Sequence, residues 1–242
     1  MRGVTFLGER KLQLMEFPDP APGPHDVVVE IKASGMCGSD LKFYRATGGA
    51  ASLGLGKVSG PVIAGHEPCG VVAALGSAVG ERTARIGDRV MVHHYAGCGT
   101  CPHCRNGVTT SCAQGSFWGA PDRRGVLADG AQADQVRVPL ADGTLVRVGV
   151  PVDDQLTPDL LALSDVMGTG HHAAASAGVK PGCSVVVVGD GAVGLCAVLA
   201  SARLGAGRVS SSFGHEGIRA IHHQEDRWDR SCNVRFTPRG RR

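Results

Sequence analysis

The chain has 242 residues, with 43% apolar residues, 4% aromatics and 36 glycines, enough for one large domain or two small ones. It shows no signal peptide and no apolar run long enough to cross a bilayer, so no membrane partner is expected. The formal net charge of +3 comes entirely from residues 210–242, which hold seven Arg against four Asp plus Glu. The remaining residues balance at 18 basic and 18 acidic, which argues against nucleic-acid binding.

From residue 4 to about 150 the pattern is rich in β structure. Residues 27–31, 71–74 and 89–92 read as strands punctuated by Gly and Pro. The Pro-rich stretch 18–24 reads as a stiff surface connection. Residues 37–45 suit a short helix opening at Ser39, and residues 53–60 a Gly-rich loop. Near residue 151 the pattern changes, and 157–162 and 169–177 look helical. Residues 184–188 form an uninterrupted apolar strand of the kind found in sheets covered on both faces. A helix over 192–204 follows, ended by Gly205, and Arg208 opens a second strand. Strand, turn and helix in this order open a βαβ unit. Beyond residue 210 only eight of 33 residues are apolar and no periodicity survives, so a disordered basic tail is expected.

Nine cysteines without a secretory signal point to a reducing compartment, the cytoplasm, and to metal ligation. Cys98, Cys101, Cys104 and Cys112 are spaced C-x2-C-x2-C-x7-C. That is a ligand set for a closed tetrahedral zinc, and short spacers make the loop cheap to close. Redox or disulfide chemistry is the alternative. A zinc held by four thiolates has no open position, so the site would be structural.

Cys37, His66 and Glu67 supply three residue types found at catalytic zinc, where three protein ligands leave one position open. Each of them alone reads more simply as a structural residue. Gly189-Asp190-Gly191-Ala192-Val193-Gly194 is a G-x-G-x-x-G between an apolar strand and a helix. In that context Gly189, Gly191, Ala192, Val193 and Gly194 would receive a pyrophosphate on backbone N–H groups, the alternative being a tight strand–helix turn. The acidic residue usual some 20 positions further on is missing, and Ser210 to Phe213 occupy that region.

Taken together in order, Met36-Cys37-Gly38-Ser39-Asp40, Gly65-His66-Glu67, Gly87-Asp88-Arg89-Val90, the four cysteines and the dinucleotide turn resemble the zinc-dependent alcohol dehydrogenases, the medium-chain family. The resemblance covers residues 1 to about 209. It implies a mostly β GroES-like catalytic domain over 1–150, with a structural zinc lobe at 93–115, and the beginning of an α/β Rossmann domain over 151–209. It also implies two zinc ions per chain and NAD or NADP. Cys37 and His66 would ligate the catalytic zinc, with Glu67 a nearby or exchangeable ligand and Asp165 a further one. Ser39 would take the proton of the substrate hydroxyl, and Asp40 would orient His66. The family often has a histidine where this chain has Lys42. The implied partner is a small alcohol or carbonyl compound. Family members commonly form homo-oligomers through the Rossmann sheet, whose outer strands are not expected in this chain. A complete member also runs on further and returns to the barrel. The expectation is therefore a truncated or frame-shifted enzyme, the alternative being a non-catalytic zinc-binding remnant or interaction domain.

Overall fold

The computed structural model describes residues 1–47, 61–121, 127–149 and 154–212. The expected Gly-rich loop at 53–60 and the basic tail beyond residue 212 lie outside the described residues. The chain divides into two compact units, Met1–Ser164 and Asp165–Arg242.

The first unit opens with a hairpin of β1 (Arg2–Gly8) and β2 (Lys11–Glu16). Next come β3 (Val27–Gly35), the short helix α1 (Asp40–Arg45), β4 (Glu67–Leu75), β5 (Arg89–Val92) and the two-residue β6 (Tyr95–Ala96). Helix α2 (Pro102–Arg105) and a 3-10 turn at Thr109–Ser111 lead to β7 (Ser116–Phe117), which pairs with β6. β8 (Ala120–Pro121) and β9 (Leu127–Ala128) form a further short pair. The unit closes with β10 (Gln135–Val138), α3 (Ala141–Thr144), β11 (Leu145–Arg147) and α4 (Thr157–Ala162).

Its main sheet runs β10-β3-β4-β5-β11, antiparallel throughout. Valine alternation builds it. Val27, Val29, Val72, Val90, Val92, Val136 and Val138 face one core with Trp118 and Ala141. Helix α4 packs on β3 and β4. At one end of the sheet the buried Asp26 accepts from Arg137 Nη1 at 2.7 Å, Leu140 N–H at 3.2 Å and Gly23 N–H at 3.2 Å, tying the turn before β3 to β10 and the residues after it. Strands β3 and β4 both reach further than their valine runs suggested. β4 starts at Glu67, because its ladder with β3 continues through Gly35↔Glu67.

The second unit contains α5 (Val166–Ser176), β12 (Ser184–Val188), α6 (Ala192–Arg203) and β13 (Arg208–Ser212). β12 and β13 pair in parallel, Ser184↔Arg208 through Val188↔Ser212, with α6 as the crossover. This is a βαβ unit. Ser210 to Ser212 do not end the second strand, since backbone pairing carries it past the loss of apolar side chains. α5 crosses α6 closely at Gly170, where a Cβ would meet the backbone of Cys196 and Ala197. Val186 and Val188 are 45% and 62% exposed, so the described two-stranded sheet does not cover both faces of β12. Among the described residues no helix is long and apolar enough to cross a membrane.

Two outcomes are expected. Ile63 is fully buried against Gly3, and Ile63→Ala should cost about 2–5 kcal/mol of stability in urea unfolding. The hydrogen bonds from Arg2 hold the Asp134 carboxyl at about 2, below its usual 3.8. A carboxyl depressed in this way stabilises the fold above its usual range and loses that contribution as pH falls toward 2. Arg2→Ala should raise the Asp134 titration, followed by NMR, toward the ordinary range, while the backbone N–H of residue 2 keeps part of the depression.

Candidate metal centres

The antiparallel register of β3 and β4 puts the end of one strand beside the start of the other. Cys37 lies just past β3 and His66 just before β4, so residues distant in sequence meet. Cys37 Sγ is 3.2 Å from His66 Nε2. Glu67 Oε1 lies 3.9 Å from the same nitrogen, and one ligand atom from each of Cys37, His66 and Glu67 falls within 4.8 Å of the others. Two glycines make this possible. Gly65 takes φ +91°, a left-handed turn into His66, and a Cβ on Gly35 would occupy the place of the Glu67 carboxylate.

Asp40 holds the arrangement from behind. It is buried at the start of α1, where Oδ2 accepts the Cys37 N–H at 2.8 Å and Oδ1 pairs with His66 Nδ1 at 3.2 Å. With Nδ1–H donating to Asp40, the Nε2 lone pair faces Cys37 and Glu67. Ser39 stands alongside, its Oγ 2.7 Å from Cys37 Sγ and 3.4 Å from His66 Nε2. Thiol, imidazole lone pair, carboxylate and hydroxyl therefore converge. The donor set fits a divalent cation with soft and borderline preferences. Asp165 heads the second unit as the residue before α5, where its Oδ1 accepts from Thr169 Oγ1 at 2.8 Å.

The lobe between β6 and β7 brings Cys98, Cys101, Cys104 and Cys112 together, their sulfurs within 4.8 Å of one another. Backbone N–H groups already point at the sulfurs. Cys101 N donates to Cys98 Sγ at 3.3 Å, Cys98 N to Cys112 Sγ at 3.3 Å, and Cys104 N to Cys101 Sγ at 3.5 Å. The Thr100 hydroxyl and neighbouring N–H groups lower the Cys98 thiol to about 6, and the Cys104 N–H is the main cause lowering Cys101. Burial, and then the adjacent thiolates, push Cys104 up to about 12. Four thiolates cannot all ionise at this spacing unaided; a bound cation removes the conflict, which is why the set fits a metal. All eight described cysteines are free thiols, so no disulfide competes among the described residues.

The dinucleotide turn lies at the head of α6. Gly189 takes φ +133°, and Gly194 packs its bare Cα against the Gly189 carbonyl, where a side chain would collide. Gly191 is the extended residue before the helix, with Ala192 and Val193 in its first turn. An apolar cavity of about 410 Å³ borders this turn, lined by Val185 to Val188 and α5. His171 and His172 are exposed on α5, and His103 is exposed on α2. Cys69 is fully buried and burial pushes its thiol up, while Cys183 is buried, both as packing residues.

Sequence reasoning did not single out Phe117. Its ring lies 5.4 Å from the His66 imidazole, and with Trp118, Phe6 and Phe43 it lines a small cavity beside His66. The available signal was scarcity, since the chain holds six Phe and this one follows the fourth lobe cysteine closely.

Asp40→Ala should leave the Cys37 N–H and His66 Nδ1 without their acceptor, costing about 1–3 kcal/mol. Urea unfolding measures the loss. ¹⁵N NMR of His66 should show the proton redistributing between the two ring nitrogens; an unchanged tautomer would contradict the assignment.

The family profile for the alcohol dehydrogenase GroES-like domain matches residues 23–151. The chain is 40% identical over 211 residues to "Probable zinc-binding alcohol dehydrogenase Rv1895" of Mycobacterium tuberculosis, covering 86% of this chain and 50% of that protein. Alcohol dehydrogenase TADH from Thermus sp. ATN1 superposes with a TM-score of 0.74 at 31% identity, covering 87% of this chain and 57% of that one. A Sinorhizobium meliloti chain solved bound to NADP superposes with a TM-score of 0.67 at 26% identity, covering 86% and 54%. The chain thus spans about half the length of the proteins it matches. With the GroES-like domain matched and the relatives agreeing in kind, the chain belongs to the zinc-type medium-chain alcohol dehydrogenase family.

Proposed function

We propose that the chain carries the zinc-binding half of a nicotinamide-linked alcohol dehydrogenase or carbonyl reductase acting on a small molecule. The observation that carries this reading is the convergence of Cys37, His66 and Glu67 with the Ser39 hydroxyl alongside and Asp40 behind. Zinc held there would polarise a substrate oxygen and lower the pKa of a hydroxyl beside it. Cys37 and His66 are the proposed ligands, with Glu67 as a carboxylate available to the same ion. Ser39 accepts the proton of the substrate hydroxyl, since its Oγ stands beside both ligand atoms. Asp40 keeps the His66 lone pair directed at the ion. The half-buried ring of Phe117 and the buried indole of Trp118 line that side with apolar surface.

A second zinc is proposed at Cys98, Cys101, Cys104 and Cys112, where a full set of protein ligands gives it a structural role. The turn at Gly189, Gly191, Ala192, Val193 and Gly194 is proposed to receive the pyrophosphate of NAD or NADP at the N-terminus of α6. A Rossmann-type βαβ unit and the NADP seen in the Sinorhizobium meliloti chain support this. β13 carries Ser210, Ser211 and Ser212 where an acidic residue would select NAD, so the strand itself makes no case for NAD over NADP. Free thiols in both proposed zinc sites suit a reducing cytoplasm.

Metal analysis of the full chain should find two zinc ions, and NAD(P)H fluorescence should rise on binding. Ser39→Ala should keep both metals while turnover of an alcohol substrate falls by about 10²–10⁴-fold. Zinc in the four-cysteine lobe alone would sink the catalytic reading. Two zinc ions without dinucleotide binding would favour a zinc-binding module instead.

A further inference from the structure

We infer that Phe117 is a positioning residue linking the two metal centres, so that filling the four-cysteine lobe governs how tightly Cys37 and His66 hold their ion. The inference rests on the metal reading proposed above and deepens it. Its starting point is a ladder too short to hold itself. β6 and β7 pair over two residues, Tyr95↔Phe117 and Ala96↔Ser116, and so small a hairpin is marginal in isolation.

The lobe holds the ladder closed. Cys98 follows β6 and Cys112 precedes β7, and the Cys98 N–H donates to Cys112 Sγ at 3.3 Å across the neck. Gly115 N donates to Cys112 O at 3.1 Å, and the bare Cα of Gly115 lets the Tyr95 ring and the Ala96 carbonyl close in. Two of the four lobe cysteines, Cys98 through its N–H and Cys112 through its sulfur, thus set the register that places Phe117.

Phe117 in turn meets His66. The ring centroids are 5.4 Å apart with the planes tilted by 37°. Tyr95 contacts Phe117 at 6.3 Å. Asp40 pins the imidazole at its Nδ1 edge, which leaves rocking about that bond as the remaining freedom. Phe117 packs against that rocking motion. Groups that hold a metal-binding histidine in orientation typically contribute about 10–100-fold to metal affinity. The competing anchor is Trp118, buried and donating Nε1–H to His93 O at 3.2 Å, which could hold the neighbouring residue whatever the lobe does.

Zinc competition against a chromophoric chelator on the full chain decides between them. Phe117→Ala should weaken zinc at the Cys37–His66 centre by about tenfold or more. Phe117→Tyr, which keeps the ring, should restore it, and the four-cysteine site should be unaffected by either. Cys104→Ser, which removes a lobe ligand, should weaken the inner centre similarly. The double variant should fall no further than either single one. Should Cys104→Ser fail to fold, His66 ¹⁵N signals in metal-free Phe117→Ala still report ring mobility. Unchanged inner affinity in Phe117→Ala overturns the inference, as does loss in that variant without loss in folded Cys104→Ser. If the unaltered chain takes up no inner zinc, the metal reading itself fails, which is a different result.

Discussion

The antiparallel pairing of β3 with β4 is the constraint on which the rest of the first unit depends. It is the central ladder of the main sheet, and its last pair, Gly35↔Glu67, sets the place of the inner metal centre. A slip of one residue would turn the buried valines outward, and it would also separate Cys37 from His66. Hydrophobic burial therefore enforces the geometry of the chemistry. Val27, Val29 and Val72 cannot be buried together in another register without moving the ligands apart. The register irregularities near Val28/Val29 and Ile31/Ala33 lie inside this ladder, so Gly35↔Glu67 depends on them as well.

The four-cysteine lobe follows a different logic. Its ligands are close in sequence, its helix α2 has four residues, and its flanking ladder has two residue pairs. Little apolar area is available there to offset the entropy of ordering the loop. Sulfurs directed by N–H groups take the place of a core, in a set that would close around an ion. The Thr100 hydroxyl and nearby N–H groups lower the Cys98 thiol to about 6, while desolvation and the neighbouring thiols push Cys104 up to about 12.

The second unit shows how far a local pattern reaches. The apolar run at Ser184–Val188 and the glycines before α6 were legible because strand, turn and helix each have a short-range signature. The parallel extension of β13 through Ser210, Ser211 and Ser212 was not, because ladder hydrogen bonds are made by backbone and carry no side-chain signature. The exposure of Val186 and Val188 also depends on which neighbours the strand has, a long-range matter.

The sequence by itself determined the cores of β3, β4, β5, β12, α4, α5 and α6, the lobe cysteines and the glycine turn, since each is set by residues within a few positions of one another. It also named Cys37, His66, Glu67, Ser39 and Asp40, though only through the order of motifs that the family resemblance supplied. Tertiary structure alone decided that these five side chains meet, with Nδ1 of His66 on Asp40 and Nε2 toward Cys37 and Ser39. It alone placed Phe117 against the imidazole. The physical reason is strand register: antiparallel pairing joins residues far apart in sequence, and it is fixed by the summed burial of many valines rather than by any motif near the site.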